Sequence, residues 1–385
     1  MSVHGWRPLQ GVRVVDFSMF VPGPFASAIF ADLGAEVIKV EMPKGDPGRA
    51  YVPVQFATEN RNKRSIALDL KKPASKAIVG KLVAKADVVI EGFRPGVAKR
   101  LGIDHETLKN HNPKIVYCSI SGYGQTGPWR ERPGHDVNYV AAAGGLAFPG
   151  QWLNPPARSS LPVADMAGGS FAAVAIVSAL YERSRTGKGV YLDLSLFEAG
   201  FFWAAMRHSL QPGVDPRAHI FPVNDVFETA DGKRLTLGIL EEHFWENFAR
   251  VVPGFDDGAF SSDEKRRLNG DSLSRRLSEV MKTKSASQWI SLLEANDIPV
   301  DLCVTPAEAA VSNRQLIERQ ATTRLGGPEE AGFATFPVFA DGERAAGLRR
   351  GVPKLGEHTR EILQELGFGA SEVKELIDNQ VVRAA

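Results

Sequence analysis

The chain has 385 residues, 43% of them hydrophobic and 24% charged, with a formal net charge of +1. That length exceeds one ordinary core and predicts a large domain plus a smaller one. The near-zero charge leaves no basic footprint for nucleic acid, and no apolar run reaches the ~18 residues needed to span a bilayer. Met1–Pro8 lacks the charged-then-apolar pattern of a secretory leader. The expectation is a cytoplasmic protein with neither nucleic acid nor membrane as partner. Cys118 and Cys303 lie far apart and read as buried thiols in a reducing compartment. His105 and His111 have no third ligand near them, so they read as surface histidines and no metal site is expected.

Val12–Phe17 is a β-branched run and reads as a strand. Phe25–Leu33 follows with helical spacing, Pro24 suiting the first helical position and Gly34 the position after the last. Glu36–Glu41 is the next strand and completes a βαβ unit, the building block of parallel sheets with right-handed crossovers. Ser65–Leu70, Asp87–Glu91, Lys114–Ser121 and Gly189–Leu194 read as further strands, with a helix at Pro73–Ala86. The alternation predicts an open α/β sheet. Ala164–Arg183 reads as a buried helix beginning just after Asp165, and another helix runs to about His208.

Ser209–Asn224, with Pro212, Gly213 and Pro216, reads as a linker. In Phe227–Gly238 an Asp-Gly pair separates two extended runs, a hairpin signal. From Glu241 to about Gln320 the pattern is helical and charged. Arg324–Val352 is a Gly-rich return segment, and helices end the chain between Gly356 and Val381. The predicted organisation is a large α/β domain (1–208), a linker (209–225), a small α+β domain (226–323), and a return segment with C-terminal helices packing on the large domain (324–385).

In open α/β sheets, ligands sit at the carboxyl ends of strands. The first such junction, Phe17–Phe25, carries no Gly-x-Gly-x-x-Gly, and no Walker-type loop occurs, which counts against nicotinamide, flavin and nucleotide-hydrolysing enzymes. Lys39, Arg61, Lys63, Arg64 and Arg94 follow or close extended pieces. They are candidates to hold phosphates, against the alternative of a solvated basic face. Arg94 is the more specific of them, because Pro95-Gly96 fixes a turn straight after a strand.

The most informative stretch runs from Gly122 to Gly169. Gly122, Gly124 and Gly127 leave the backbone bare for a ligand. His135 stands in Gly134-His-Asp-Val-Asn-Tyr139, and Asp165 at a helix start followed by Gly168 and Gly169. An N-cap is the structural alternative for Asp165. Backbone N–H groups near Gly168 and Gly169 are candidate donors to an oxyanion. Asp136 competes with His135 and Asp165 as a functional residue, and residue type alone does not rank it.

At these residues the chain resembles the family III CoA transferases, and within them the alpha-methylacyl-CoA racemase branch. The matching stretches include Gly11–Asp16, Ala31–Glu41, Asn60–Ile66, Glu91–Gly96, Gly122–Pro128, Asp301–Pro306 and Leu355–Leu363. The resemblance implies a Rossmann-like large domain, a smaller α+β domain and an interlocked homodimer. It implies an acyl-CoA thioester as substrate and no cofactor beyond that CoA moiety. Lys39, Arg64 and Arg94, with Gly122, Tyr123, Gly124 and Tyr139, are then the candidate CoA-binding residues. Asp165 maps to the family's reactive aspartate, His135 to the second racemase base, and Glu241 to the glutamate that orients that histidine.

Two activities follow from the resemblance. In racemisation of a 2-methylacyl-CoA, His135 and Asp165 exchange protons on opposite faces of C2 through an enolate. In CoA transfer between carboxylic acids, Asp165 is the nucleophile that forms an aspartyl-CoA anhydride. The retained His135 and Glu241 favour the racemase. A catalytically silent CoA-thioester binder is a third class. His219–Val226 departs from both subfamily patterns and is expected to shape the acyl pocket.

Overall fold

The structure, a computed structural model, describes residues 5–325, 332–345 and 347–385. It separates into two compact units. The larger comprises Met1–Ala143, Leu161–Trp203 and Asn313–Ala385, the smaller Gly144–Ser160 and Ala204–Ser312.

The larger unit is built on β1 (Arg13–Asp16), α1 (Pro22–Asp32), β2 (Glu36–Glu41), β3 (Arg64–Leu68), α2 (Ser75–Ala84), β4 (Val88–Glu91), β5 (Val116–Ser121), α3 (Asp136–Ala142), α4 (Val163–Thr186), β6 (Val190–Ser195) and the first part of α5 (Leu196–His208), whose residues from Ala204 on count with the smaller unit. These strands form a parallel sheet in the order β3-β2-β1-β4-β5-β6, and the C-terminal strand Val382–Arg383 adds antiparallel to β3. Val14, Val15, Val37, Ile66, Val88 and Val89 are fully buried, as expected of strands covered on both faces. Ile78, Leu82 and Val83 from α2 pack on this core, as do Ile362 and Leu363 from the C-terminal helix Thr359–Glu365.

Helix starts differ from the sequence reading. α1 begins at Pro22, which takes the first-turn position assigned to Pro24, and Gly34 follows its end at φ 104°. α4 begins at Val163, ahead of Asp165. By length and composition α4 is apolar enough to cross a membrane. Here it packs on α1, α3, β5 and β6, and its small residues explain how. A Cβ on Gly169 would meet the Pro22 carbonyl oxygen at 2.8 Å, and one on Gly168 would meet Leu196 Cδ2 at 2.3 Å.

The smaller unit holds the hairpin β7 (Asn224–Glu228) and β8 (Arg234–Gly238), α6 (Glu242–Val251), α7 (Gly270–Met281), α8 (Ala286–Glu294) and β9 (Val300–Leu302), which pairs with β8. The hairpin turns at Asp231-Gly232, with Gly232 at φ 71°. Trp245, Phe248, Phe255, Leu277 and Trp289 fill its core. Residues 144–160, assigned from sequence to the large domain, belong to this unit. The Trp152 indole lies where a Cβ on Gly270 would sit and donates to Asp271 Oδ1 at 3.0 Å. Of the return segment, residues 326–331 and 346 lie outside the described residues.

Candidate active site

The strand order reverses between β1 and β4, and ligands of doubly wound sheets bind at such a switch point. The turns leaving these two strands line one cavity of about 370 Å³, with Met19, Phe20 and Pro22 on one side and Phe93, Arg94 and Pro95 on the other. Each turn is held from below. Glu91 Oε2 accepts the Phe93 N–H at 2.8 Å, and burial pushes the Glu91 carboxyl up to about 7. After β1, the buried Asp16 carboxylate accepts from the Ser18 N–H at 2.9 Å, from Ser27 Oγ at 2.5 Å and from Lys63 Nζ at 3.2 Å. Gly23 closes this turn, since a Cβ there would lie 2.2 Å from Ser18 Cβ. Phe20 adopts φ 60°, a left-handed conformation uncommon for an aromatic residue.

Two expected CoA-binding cations are redirected by this scaffold. Lys39 is fully buried, pairs with Asp46 at 2.9 Å and donates to the Ser18 carbonyl at 3.0 Å. Burial alone would lower its pKa, but Asp16, Asp46 and Glu41 together hold it above the usual lysine value. Lys39 is a strut under the turn and is not among the residues that line the cavity. Arg64, also buried, is tied to Glu36, Glu361 and Glu365 within 3.0 Å and lines a different cavity, among the residues that begin β1 and β2. Arg94 does line the cavity at the switch point and has no carboxylate partner among the described residues.

The same cavity receives His135 and Asp165. His135 precedes α3; its backbone N–H donates to Asn138 Oδ1 at 3.0 Å, and its side chain is exposed. Asp136, buried, turns away and accepts the N–H groups of Ala164 at 2.7 Å and Asp165 at 3.3 Å. It thereby caps α4 and fixes the helix start that carries Asp165. No described residue donates to the half-buried Asp165 carboxylate. Burial, and secondly the charge of Asp136, push its pKa up to about 7.

Tyr139 completes the wall, its hydroxyl donating to the Gly134 carbonyl at 2.5 Å. Burial, then the charge of Asp165, raise its pKa to about 12. Gly122 makes room for it, because a Cβ there would lie 2.5 Å from the Tyr139 hydroxyl. Tyr123 and Gly124 stand behind this wall and do not line the cavity. The Tyr123 ring packs edge-on against Tyr139 and Trp129, at 5.2 and 5.5 Å. Gly124, at φ 85°, turns the chain so that the Gln125 N–H meets Asp193 at 3.1 Å. Gly168 and Gly169 lie inside α4, where backbone N–H groups donate four residues back. They serve close packing and offer no oxyanion donors. Glu241 precedes α6 in the smaller unit.

Sequence reasoning missed Arg130, Arg132 and Ser121, which line the cavity. Two arginines between Gly127 and Gly134 were the available signal. It also missed Lys44 and Lys71, exposed in a neighbouring cavity of about 450 Å³ that shares Met19 and Phe93 with the first.

Residues 9–359 match the sequence model for CoA-transferase family III. The chain belongs to this family. Two curated members of known activity are similar over almost their whole length. The chain is 32% identical to the alpha-methylacyl-CoA racemase of Homo sapiens, over 98% of each chain. It is 34% identical to the acetyl-CoA:oxalate CoA-transferase of Acetobacter aceti, over 95% of this chain and 97% of that one. A crystal structure of a CAIB/BAIF family protein from Brucella suis superposes with a TM-score of 0.83 at 30% identity, covering 94% of this chain and all of that one. Family III thus includes both isomerases and transferases among this chain's relatives.

Proposed function

We propose that this family III protein is a 2-methylacyl-CoA racemase or epimerase acting by 1,1-proton transfer. The observation that carries the reading is that His135 and Asp165 line one cavity, with Asp165 poised near neutrality. In one direction neutral His135 takes the C2 proton, and the electron pair passes into the thioester as an enolate. Protonated Asp165 then delivers its proton to the opposite face. The reverse direction exchanges the protonation states, which requires both groups to be within reach of neutral pH. An ordinary aspartate would be almost wholly ionised there. The enolate oxygen needs a fixed donor; Ser121 lines the cavity, its buried hydroxyl has no hydrogen-bond partner among the described residues, and it is assigned that role.

The CoA moiety is assigned to the path from this cavity past Met19 and Phe93 into the neighbouring one. There Lys44 and Lys71, with no carboxylate partner among the described residues, face the phosphates. Arg94 is placed beside the thioester. Glu241 is assigned to orient His135, as the resemblance to racemases suggests. The working form is taken to be an interlocked homodimer in the cytoplasm. The dimer is supported by an exposed apolar face on α4 and α5, where Val174, Tyr181, Phe202 and Trp203 are 64%, 67%, 54% and 42% accessible.

CoA transfer is the second reading, favoured by the Acetobacter aceti relative and by the absence of donors on the Asp165 carboxylate, which leaves it free to attack a thioester. Incubation with a 2-methylacyl-CoA in deuterated water separates the two. Deuterium at C2 supports racemisation. CoA moving to an added carboxylate without exchange supports transfer.

A further inference from the structure

We infer a second ligand site at the amino-terminal edge of the large sheet, one that takes a small polyphosphate anion such as pyrophosphate. It lies apart from the site assigned to the acyl-CoA and does not depend on that reading.

The strands begin at this edge. Arg13 opens β1, Glu36 opens β2 and Arg64 opens β3. With Lys85, Arg349 and Arg350 they line a cavity of about 530 Å³. The turns that carry Met19 and Arg94 leave the opposite ends of the strands, on the order of 15 Å away at ~3.3 Å per residue.

Five cations and two carboxylates line the cavity, and the carboxylates are already engaged. Glu36 accepts from Arg13 at 2.7 Å and from Arg64 at 2.6 Å, and Glu361 lies 3.0 Å from Arg64. Lys85, Arg349 and Arg350 have no carboxylate partner among the described residues. Lys85 donates to the Glu365 carbonyl at 2.7 Å and Arg349 to the Ala31 carbonyl, contacts that leave their charges uncancelled. Arg350 lies 2.7 Å from His358 Nε2, a ring whose pKa burial and then the charge of Arg350 hold below its ordinary value.

The two arginines are fixed in place by one side chain. Asn62, buried and at φ 63°, accepts the backbone N–H groups of Arg349 at 2.6 Å and Arg350 at 2.9 Å on a single oxygen. Its amide donates to Asp32 at 2.9 Å, and its backbone N–H donates to the Arg350 carbonyl at 3.0 Å. The segment carrying both guanidinium groups is thereby tied to the start of β3. The recess is crowded with like charge: burial, then Arg7, and also Arg350, hold the Arg349 pKa below its usual value against the pull of Asp32.

A cleft lined by one sign of charge focuses the field and draws in counter-ions. Arginine forks match phosphate oxygens two at a time. One carboxylate would answer one of the three uncancelled charges, whereas two linked phosphates can answer all of them. Among the described residues no aromatic ring lines the cavity, so a nucleotide base would find no surface to stack on. These features select a compact polyphosphate.

Equilibrium dialysis of the full-length protein against radiolabelled pyrophosphate, at constant ionic strength, tests this. Wild type should bind one equivalent. Binding should weaken at least ten-fold in R349M/R350M, the scale of a lost charge-assisted hydrogen bond, and measurably in K85M. The double substitution leaves the backbone bonds to Asn62 intact, and Lys85 is exposed, so K85M gives the answer if the double variant fails to fold. K44M/K71M, altered in the cavity assigned to CoA, should bind as wild type does. No binding to wild type, or unchanged affinity in both R349M/R350M and K85M, would overturn the inference. So would a loss confined to K44M/K71M, which would place the anion in the CoA cavity, or equal affinity for sulfate and pyrophosphate, which would reduce the effect to general charge. Failure of the acyl-CoA reading has a separate signature, the absence of CoA binding.

Discussion

The Asp136 carboxylate caps the helix that carries Asp165, accepting the N–H groups of Ala164 and Asp165 at 2.7 and 3.3 Å. One side chain therefore sets both the position of the reactive carboxylate and, through its charge, part of its elevated pKa. The two effects separate by substitution. Asp136→Asn keeps an oxygen acceptor and removes the charge, so stability should stay near wild type while the Asp165 limb of the pH–rate profile moves to lower pH. Asp136→Ala removes the acceptor as well and should cost roughly 1–3 kcal/mol. Thermal melts and pH profiles of the two variants measure this.

Asp165 should lower the protein's stability as it ionises. Its folded pKa, about 7, is above the ordinary value of 3.8. The unfolded chain loses this proton first as pH rises, so the native state is progressively disfavoured between about pH 4 and 7. Asp165→Asn removes the penalty. The variant should be more stable than wild type at pH 8, by up to about 4 kcal/mol if the full shift is realised, and indistinguishable near pH 4. A destabilised Asp165→Asn protein at pH 8 would contradict the assigned environment.

Lys39 and Arg94 should respond in opposite ways. Lys39→Met leaves Asp46 without its buried partner, and breaking such a pair typically costs ~3–5 kcal/mol. Arg94→Met removes an exposed cation from the cavity wall and should raise KM for the thioester with little change in melting temperature. Parallel melts and steady-state kinetics distinguish a strut from a ligand.

Gly169→Ala should damage both fold and site. Its methyl would press on the Pro22 carbonyl and Phe25, at 2.8 and 2.7 Å, so α1 must shift. Overpacking of this kind costs ~1–3 kcal/mol. Pro22 also lines the cavity, so kcat/KM should fall further than stability alone accounts for.

The alternation of short β-branched runs and helical stretches made the parallel sheet legible before any coordinates, and the family resemblance singled out His135 and Asp165. Charge was harder to read. Lys39 lies near the end of β2 and Arg64 begins β3, as phosphate-binding cations can, but nothing in their neighbours shows that Asp46 and three glutamates from distant segments converge on them. Residues 144–160 were misassigned for a similar reason. Their place rests on contacts between segments far apart in the chain, among them the Trp152 indole against Gly270 and the Trp152 N–H on Asp225. The Gly168-Gly169 pair looked like an oxyanion site because a helix start was expected beside it. The start lies at Val163 instead, and the glycines are explained by what packs on them.

The central claim is that His135 and Asp165 serve opposite faces of one carbon. The most direct measurement is proton–deuterium exchange at C2 of separate (R)- and (S)-2-methylacyl-CoA in deuterated water, using wild type, His135→Ala and Asp165→Asn. Wild type should exchange both enantiomers. Each variant should lose exchange with one enantiomer, and the two variants should lose opposite ones. If wild type exchanges neither while moving CoA to an added carboxylate, and His135→Ala remains active in that transfer, the two-base account is contradicted and Asp165 acts as a nucleophile.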